Sequence, residues 1–339
     1  MQKILKKNTF TLWLLGAVLL AILYPGPGSK GGFLLPEFTT KLGVWVIFFL
    51  QGLGLPTSEL ATGYRPKRLH AFVLSWNYLL FPLVTGLVLI PLSLILPVEL
   101  RLGFWLLAIV PTTVSSAVVF STVSGGDTSN AIFSTVFSNL LSVILVPAVA
   151  VAYLAAETEA EIPLALLVTR LFILIILPLI IGQVIRKCLP VQAAAVAKKT
   201  KSLGNWIILL IVHCAFAGSV SAGILDGLGG GGAIAAVIGS TVLLLLVVSG
   251  LVWWSAALLK PTRGQRITAF FCASQKSLAT GLPLTTSILA SAPGVVDMAT
   301  LLIPLMCYHP AQLILAGILS GQWSVIENSD GSSVATDSK

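Results

Sequence analysis

Lys276 stands inside the run FFCASQKSLATGLP, near the middle of an apolar stretch, 267 to 289, that is long enough to cross a bilayer. A charge at that depth costs about 3 kcal/mol even on insertion scales, so it reads first as functional. Gln275, Ser277, Thr280, Gly281 and Pro283 surround it, which makes the segment a poor continuous apolar rod. A second stretch, 102 to 123, carries VPTTVSSAVVFSTVSGG, with Pro111, Thr112, Thr113, Ser115, Ser116, Ser121 and Thr122. A helix interrupted within a membrane leaves N–H and C=O groups that only protein, water, ions or substrate can satisfy. The N-terminal ends of such half-helices favour anions, and their freed carbonyls favour cations. Thr112, Thr113, Ser116, Lys276 and Ser277 are therefore candidate substrate-binding residues, and Ser115, Ser116 and Gln275 also stand at the expected breaks. Singly, a Ser or Thr in such a helix is packing glue. Their density in two matched segments points to a site.

The elements that position these residues are membrane helices. With 56% hydrophobic and 9% charged residues and a mean hydropathy of +0.99, the chain is unlike a globular domain, in which about a quarter of residues are charged. Ten windows are long enough to span as helices: 9–25, 37–56, 70–96, 102–123, 128–155, 162–185, 203–224, 233–259, 267–289 and 295–320. The joints between them, including RKCLPVQAAAVAKKTK, are too short for a soluble domain, so 1–321 reads as one membrane domain. The Ser- and Asp-containing tail, 322–339, reads as disordered. The two polar segments fall fourth and ninth, at matching places in repeats of about 9–155 and 162–320. Interrupted polar segments so placed point to inverted repeats, and five spans per half reverse the topology. The fold class is thus all-α and integral to the membrane, ten helices in two inverted five-helix repeats.

Placing the N-terminus inside puts most of the 20 Lys and Arg residues in cytoplasmic joints, so both termini are expected in the cytoplasm, in a plasma or inner membrane. The net charge of +8 is largely this topology signal and gives nucleic-acid binding little support. The four cysteines and three histidines form no disulfide framework or metal spacing. Asp127 reads as a helix cap, and Arg170 as a side chain reaching for the interface. No activated nucleophile, carboxylate pair or nucleotide-binding motif is present, which argues against an enzyme.

On the segments PTTVSSAVVFS, SQKSLATGLP and YHPAQ, the chain resembles the bile acid:sodium symporter superfamily, specifically its SBF-like branch, from about residue 7 to 321. The resemblance implies a panel and a core bundle, with the fourth and ninth helices unwound and crossing. It implies two sodium sites beside the crossing. The first maps to Ser115, Ser116 and Thr135, with Ala131 where a Ser is usual; the second maps to Asn77 and Gln275 with backbone oxygens of Cys272 and Ser274. The glutamate shared by both sites falls on Phe271, and the usual Gln-Asn pair is Gln275-Lys276. Two like charges 4 Å apart repel by roughly 4 kcal/mol at an effective dielectric of 20, so a charged Lys276 competes with sodium. Lys276 either stands in for a sodium ion, attracts an anionic substrate, or bonds to carbonyls and holds the crossing together. The function implied is secondary transport of a small or amphipathic organic anion by alternating access, with the bilayer and the substrate as partners and no cofactor beyond sodium. The alternative is a membrane regulator or scaffold that keeps the fold without transporting.

Overall fold

The computed structural model of the chain describes residues 9–54, 64–157, 169, 172–223, 230–291 and 297–334. Arg170 lies outside them. Among the described residues there is no strand, and the helices run α1 Thr9–Leu23, α2 Pro36–Gly54, α3 Lys67–Leu92, α4 Val98–Ile109, α5 Ser115–Val123 and α6 Thr128–Glu157. They continue as α7 Leu177–Cys188, α8 Pro190–Lys199, α9 Lys201–Ser221, α10 Gly230–Ala257, α11 Arg263–Ser274, α12 Leu278–Ser291 and α13 Met298–Val334.

Five stretches of the described residues are long and apolar enough to cross a membrane: Lys67–Leu92, Thr128–Val149, Ser202–Ser221, Ala235–Ala257 and Met298–Trp323. Large apolar side chains such as Leu15 and Leu19 on α1, Leu87 and Ile90 on α3, Leu243 on α10 and Ile314 on α13 point outward. In water so broad an apolar exterior would be a liability, whereas in a bilayer it is the lipid-facing surface. The chain is an integral multi-pass membrane protein.

Three local chemistries shape the elements that carry the site. α3 contains a π-helical turn, Trp76–Leu80, just before Pro82. Pro111 follows the end of α4 and biases Val110 away from helical geometry; Val110 is extended at φ −64°, ψ 149°. Asp127 caps α6, accepting the Asn130 N–H at 3.0 Å.

Two departures from the sequence reading have physical causes. The joint 186–201 is not a plain connection but contains α8, whose Ala-rich PVQAAAVAKK has Pro at its first position and strong helix formers after it. α13 runs past 321 to Val334, because extending an established helix costs far less than nucleating one and no proline follows Pro310.

The helices pack in two sets. α1, α2, α7, α8 and α9 form one, and α3 to α6 with α10, α11 and α13 form the other; α12 touches both, and α13 also packs on α9. The α2–α7 seam is the closest approach in the first set. A Cβ on Gly52 would fall on the Leu179 carbonyl, and one on Gly182 would fall on the Phe49 carbonyl.

Candidate functional site

Between α4 and α5, and again between α11 and α12, the helical ladder stops for a few residues and resumes. The two breaks meet. Ser277 N–H donates to Pro111 O at 2.8 Å, and the hydroxyls of Thr113 and Ser116 donate to Gln275 Oε1 at 2.7 and 2.8 Å. Each resumed helix is capped by a hydroxyl next to its own break. Thr113 Oγ1 accepts from Ala117 N–H at 3.2 Å, and Ser277 Oγ accepts from Thr280 N–H at 3.1 Å.

The first break has a proline to explain it, but the second lacks one, since Gln275 is extended at φ −89°, ψ 148° with no proline beside it. Tertiary partners hold it open instead. Gln312 of α13 makes a reciprocal clamp on the Lys276 backbone, accepting its N–H at 2.7 Å and donating to its C=O at 2.7 Å. Tyr308, one turn earlier on α13, donates to Ser274 O at 2.8 Å. At the first break Asn139 of α6 donates to Thr112 O at 2.8 Å, and accepts from the Thr280 hydroxyl at 2.8 Å. These side chains supply the hydrogen bonds that the interrupted ladder lacks. Composition alone did not single out Asn139, Tyr308 or Gln312 for this part; the signal was the i, i+4 spacing of Tyr308 and Gln312 within YHPAQ on one face of an apolar helix.

A cavity of about 630 Å³ opens where the breaks face the first set of helices. Thr113, Ser115 and Ser116 of the first break and Ser277 and Thr280 of the second reach it, with Asn139, Gln51 of α2 and Asn205 of α9. Among the described residues its lining holds no Asp, Glu, Lys or Arg, and the rest is largely apolar, including Phe10, Leu140, Leu179 and Leu313. The first turns of α5 and α12 both start at this cavity, so two positive helix-dipole ends face it.

The cavity gathers Thr113, Ser115, Ser116 and Ser277, but neither Thr112 nor Lys276. Thr112 is fully buried, and its carbonyl is taken by Asn139. Lys276 is 0% exposed, and its ammonium donates to three backbone carbonyls, Asn77 O at 3.0 Å, Ala108 O at 2.6 Å and Val110 O at 3.0 Å. It also lies 4.1 Å from the centre of the Phe81 ring. Of the three roles the sequence left open for this lysine, attraction of a substrate by direct contact finds no support in this arrangement.

Most residues of the implied ion sites are engaged with protein partners, some within the sites and some outside them. Asn77 donates to Cys272 O and Ser138 Oγ, each at 3.3 Å, while its own Oδ1 has no partner among the described residues. The Ser274 carbonyl accepts from Tyr308 as described, and Thr135 donates to Ile132 O at 3.1 Å. Ser115 is exposed at the cavity wall, and Ser116 is half-buried beside it. Phe271 is wholly buried in an aromatic cluster, stacked on Phe120 at 5.9 Å and meeting Phe270 and Trp323 edge-on. That corner is apolar.

Comparison with known proteins covers the same stretch of chain. Residues 8–325 match the model of the SBF-like CPA transporter family. The sodium/bile acid cotransporter 7-B of Xenopus laevis is 28% identical over 318 residues, 93% of this chain and 91% of its own length. The sodium/bile acid cotransporter 7 of Mus musculus is 28% identical over 316 residues, covering 93% and 92% of the two chains. An uncharacterized protein of Pseudomonas aeruginosa is 30% identical over 321 residues, covering 94% and 93%. A match that takes in both helix breaks, the braces from α6 and α13 and every wall of the cavity leaves the chain a membrane transporter rather than an enzyme, and it belongs to the SBF-like CPA transporter family.

Proposed function

We propose that the chain is a secondary transporter of a small or amphipathic organic anion, working by alternating access around the point where the two breaks meet. The observation that carries this reading is the cavity: it is large enough for a small organic molecule, mixes apolar walls with hydroxyl and amide groups, has no carboxylate among its described lining residues, and receives two helix N-termini. Such a lining repels no anion and offers an amphipathic one both a wet and a dry face.

Several observations support the ten-span, inverted-repeat arrangement of 9–155 and 162–320. Each half contains a broken helix, and each break is braced by an amide side chain from the long helix that follows it, Asn139 of α6 in one case and Gln312 of α13 in the other. The distribution of Lys and Arg supports a cytoplasmic location for both termini. The regulator reading keeps one observation in its favour, the aromatic cluster filling the corner at Phe271.

The test is thermal unfolding of the purified protein against a panel of organic anions. A ligand at one hundred times its dissociation constant stabilises by about 2.7 kcal/mol, a shift of several degrees. At least one amphipathic anion should produce such a saturable shift, and Ser116→Ala with Thr280→Val should weaken it. A panel with no effect on the folded protein argues for the regulator.

A further inference from the structure

The three carbonyls around the Lys276 ammonium are each released by local chemistry. In an ordinary helix Asn77 O would accept from Phe81 N–H, but in the π-helical turn that N–H bonds to Trp76 O instead. The next donor along the chain would be Pro82, which has none. Ala108 and Val110 close α4, whose last carbonyls lose their intrahelical donors at the break. The result is a pocket of bare oxygens at the negative end of a helix dipole, walled on one side by an aromatic face. Backbone carbonyls gathered in this way can replace the hydration shell of a monovalent cation.

The amine fills that cage stoichiometrically. A protonated lysine has three N–H donors and no acceptor, matching the three carbonyls at 2.6 to 3.0 Å one for one, whereas a neutral amine would turn its lone pair on one of them. Among the described residues the ion pair is Lys30 with Glu37, at the surface, and no carboxylate accompanies Lys276. A charge on that amine would be held by carbonyl dipoles and the Phe81 ring face, with no carboxylate, as a bound ion would be.

We propose that Lys276 is a tethered cation, occupying permanently a monovalent-cation position at the crossing, so that this chain needs no sodium there and a neutral residue at 276 would open the position to sodium. The consequence for transport rests on the reading above: substrate movement would proceed without sodium bound at this point. The cation assignment itself does not.

Wild type and Lys276→Asn are to be compared by thermal unfolding in equimolar sodium chloride and choline chloride, with radioactive sodium binding as the second readout. Wild type should unfold at the same temperature in both salts and bind no sodium. Lys276→Asn should be less stable in choline and gain about 5 °C, saturably, in sodium, with one ion bound. A sodium-stabilised wild type, or a folded Lys276→Asn indifferent to sodium, would overturn the proposal. Lys276→Gln repeats the test if the Asn variant does not fold, and if neither neutral variant is recovered the wild-type comparison decides. Should the anion panel fail while this salt result holds, the transport reading falls alone.

Discussion

At the scale of single residues, the arrangement depends on polar groups that replace a missing backbone ladder. Gln312 makes two bonds to the backbone of one residue, Lys276, and a third to His309 Nδ1 at 3.0 Å, all buried. Leu at this position would leave a buried N–H and a buried C=O unsatisfied, each costing about 1–3 kcal/mol. Gln312→Leu should therefore lose about 3 kcal/mol, read as a fall of several degrees in the unfolding midpoint, while Gln312→Glu, which keeps an acceptor for the Lys276 N–H, should lose less. Equal midpoints for Gln312→Leu and wild type would remove Gln312 from its bracing role. Lys276 and the Ser and Thr clusters were legible from residue type and depth alone. The direction of the lysine side chain was not, because a long side chain at a crossing can turn toward the cavity or away from it. The carbonyls released by Pro82 and Pro111 decide the matter, and they come from segments about 170 and 200 residues away in the chain.

At the scale of elements, the two broken helices were legible because polar residues interrupt otherwise apolar windows at matching places. α8 was not, because a short Ala-rich stretch between two membrane windows resembles a joint as much as a helix. The α2–α7 seam was also hidden, since Gly52 and Gly182 are two of 30 glycines and only the close approach of the backbones sets them apart. Beside this seam, Gln183 donates to the Gly52 carbonyl and Arg186 donates to the Leu53 carbonyl at 2.9 Å, so α7 also satisfies the open end of α2. Gly52→Ala or Gly182→Ala must push the helices apart, and each should cost about 1–3 kcal/mol. Gly218→Ala on α9 meets open space and should be neutral or stabilising by up to about 1 kcal/mol. Equal effects at all three positions, measured by thermal unfolding in one detergent, would show that the seam is not the rigid element described here.

At the scale of the whole molecule, the cavity lies between the two sets of helices, with the breaks on one wall and α2 and α9 on the other. Thr280 bridges the two sets, donating to Asn139 Oδ1 at 2.8 Å and accepting from Gln51 Nε2 at 3.2 Å. A change of access that moves one set against the other must break and remake that bridge. Uptake of a stabilising organic anion into proteoliposomes tests the central claim most directly. The account predicts saturable uptake by wild type, lowered about tenfold by Thr280→Val, which keeps the shape but loses both bonds of the bridge, a net cost on the order of 1.4 kcal/mol. Folded protein that binds the anion yet carries none across the bilayer would contradict it.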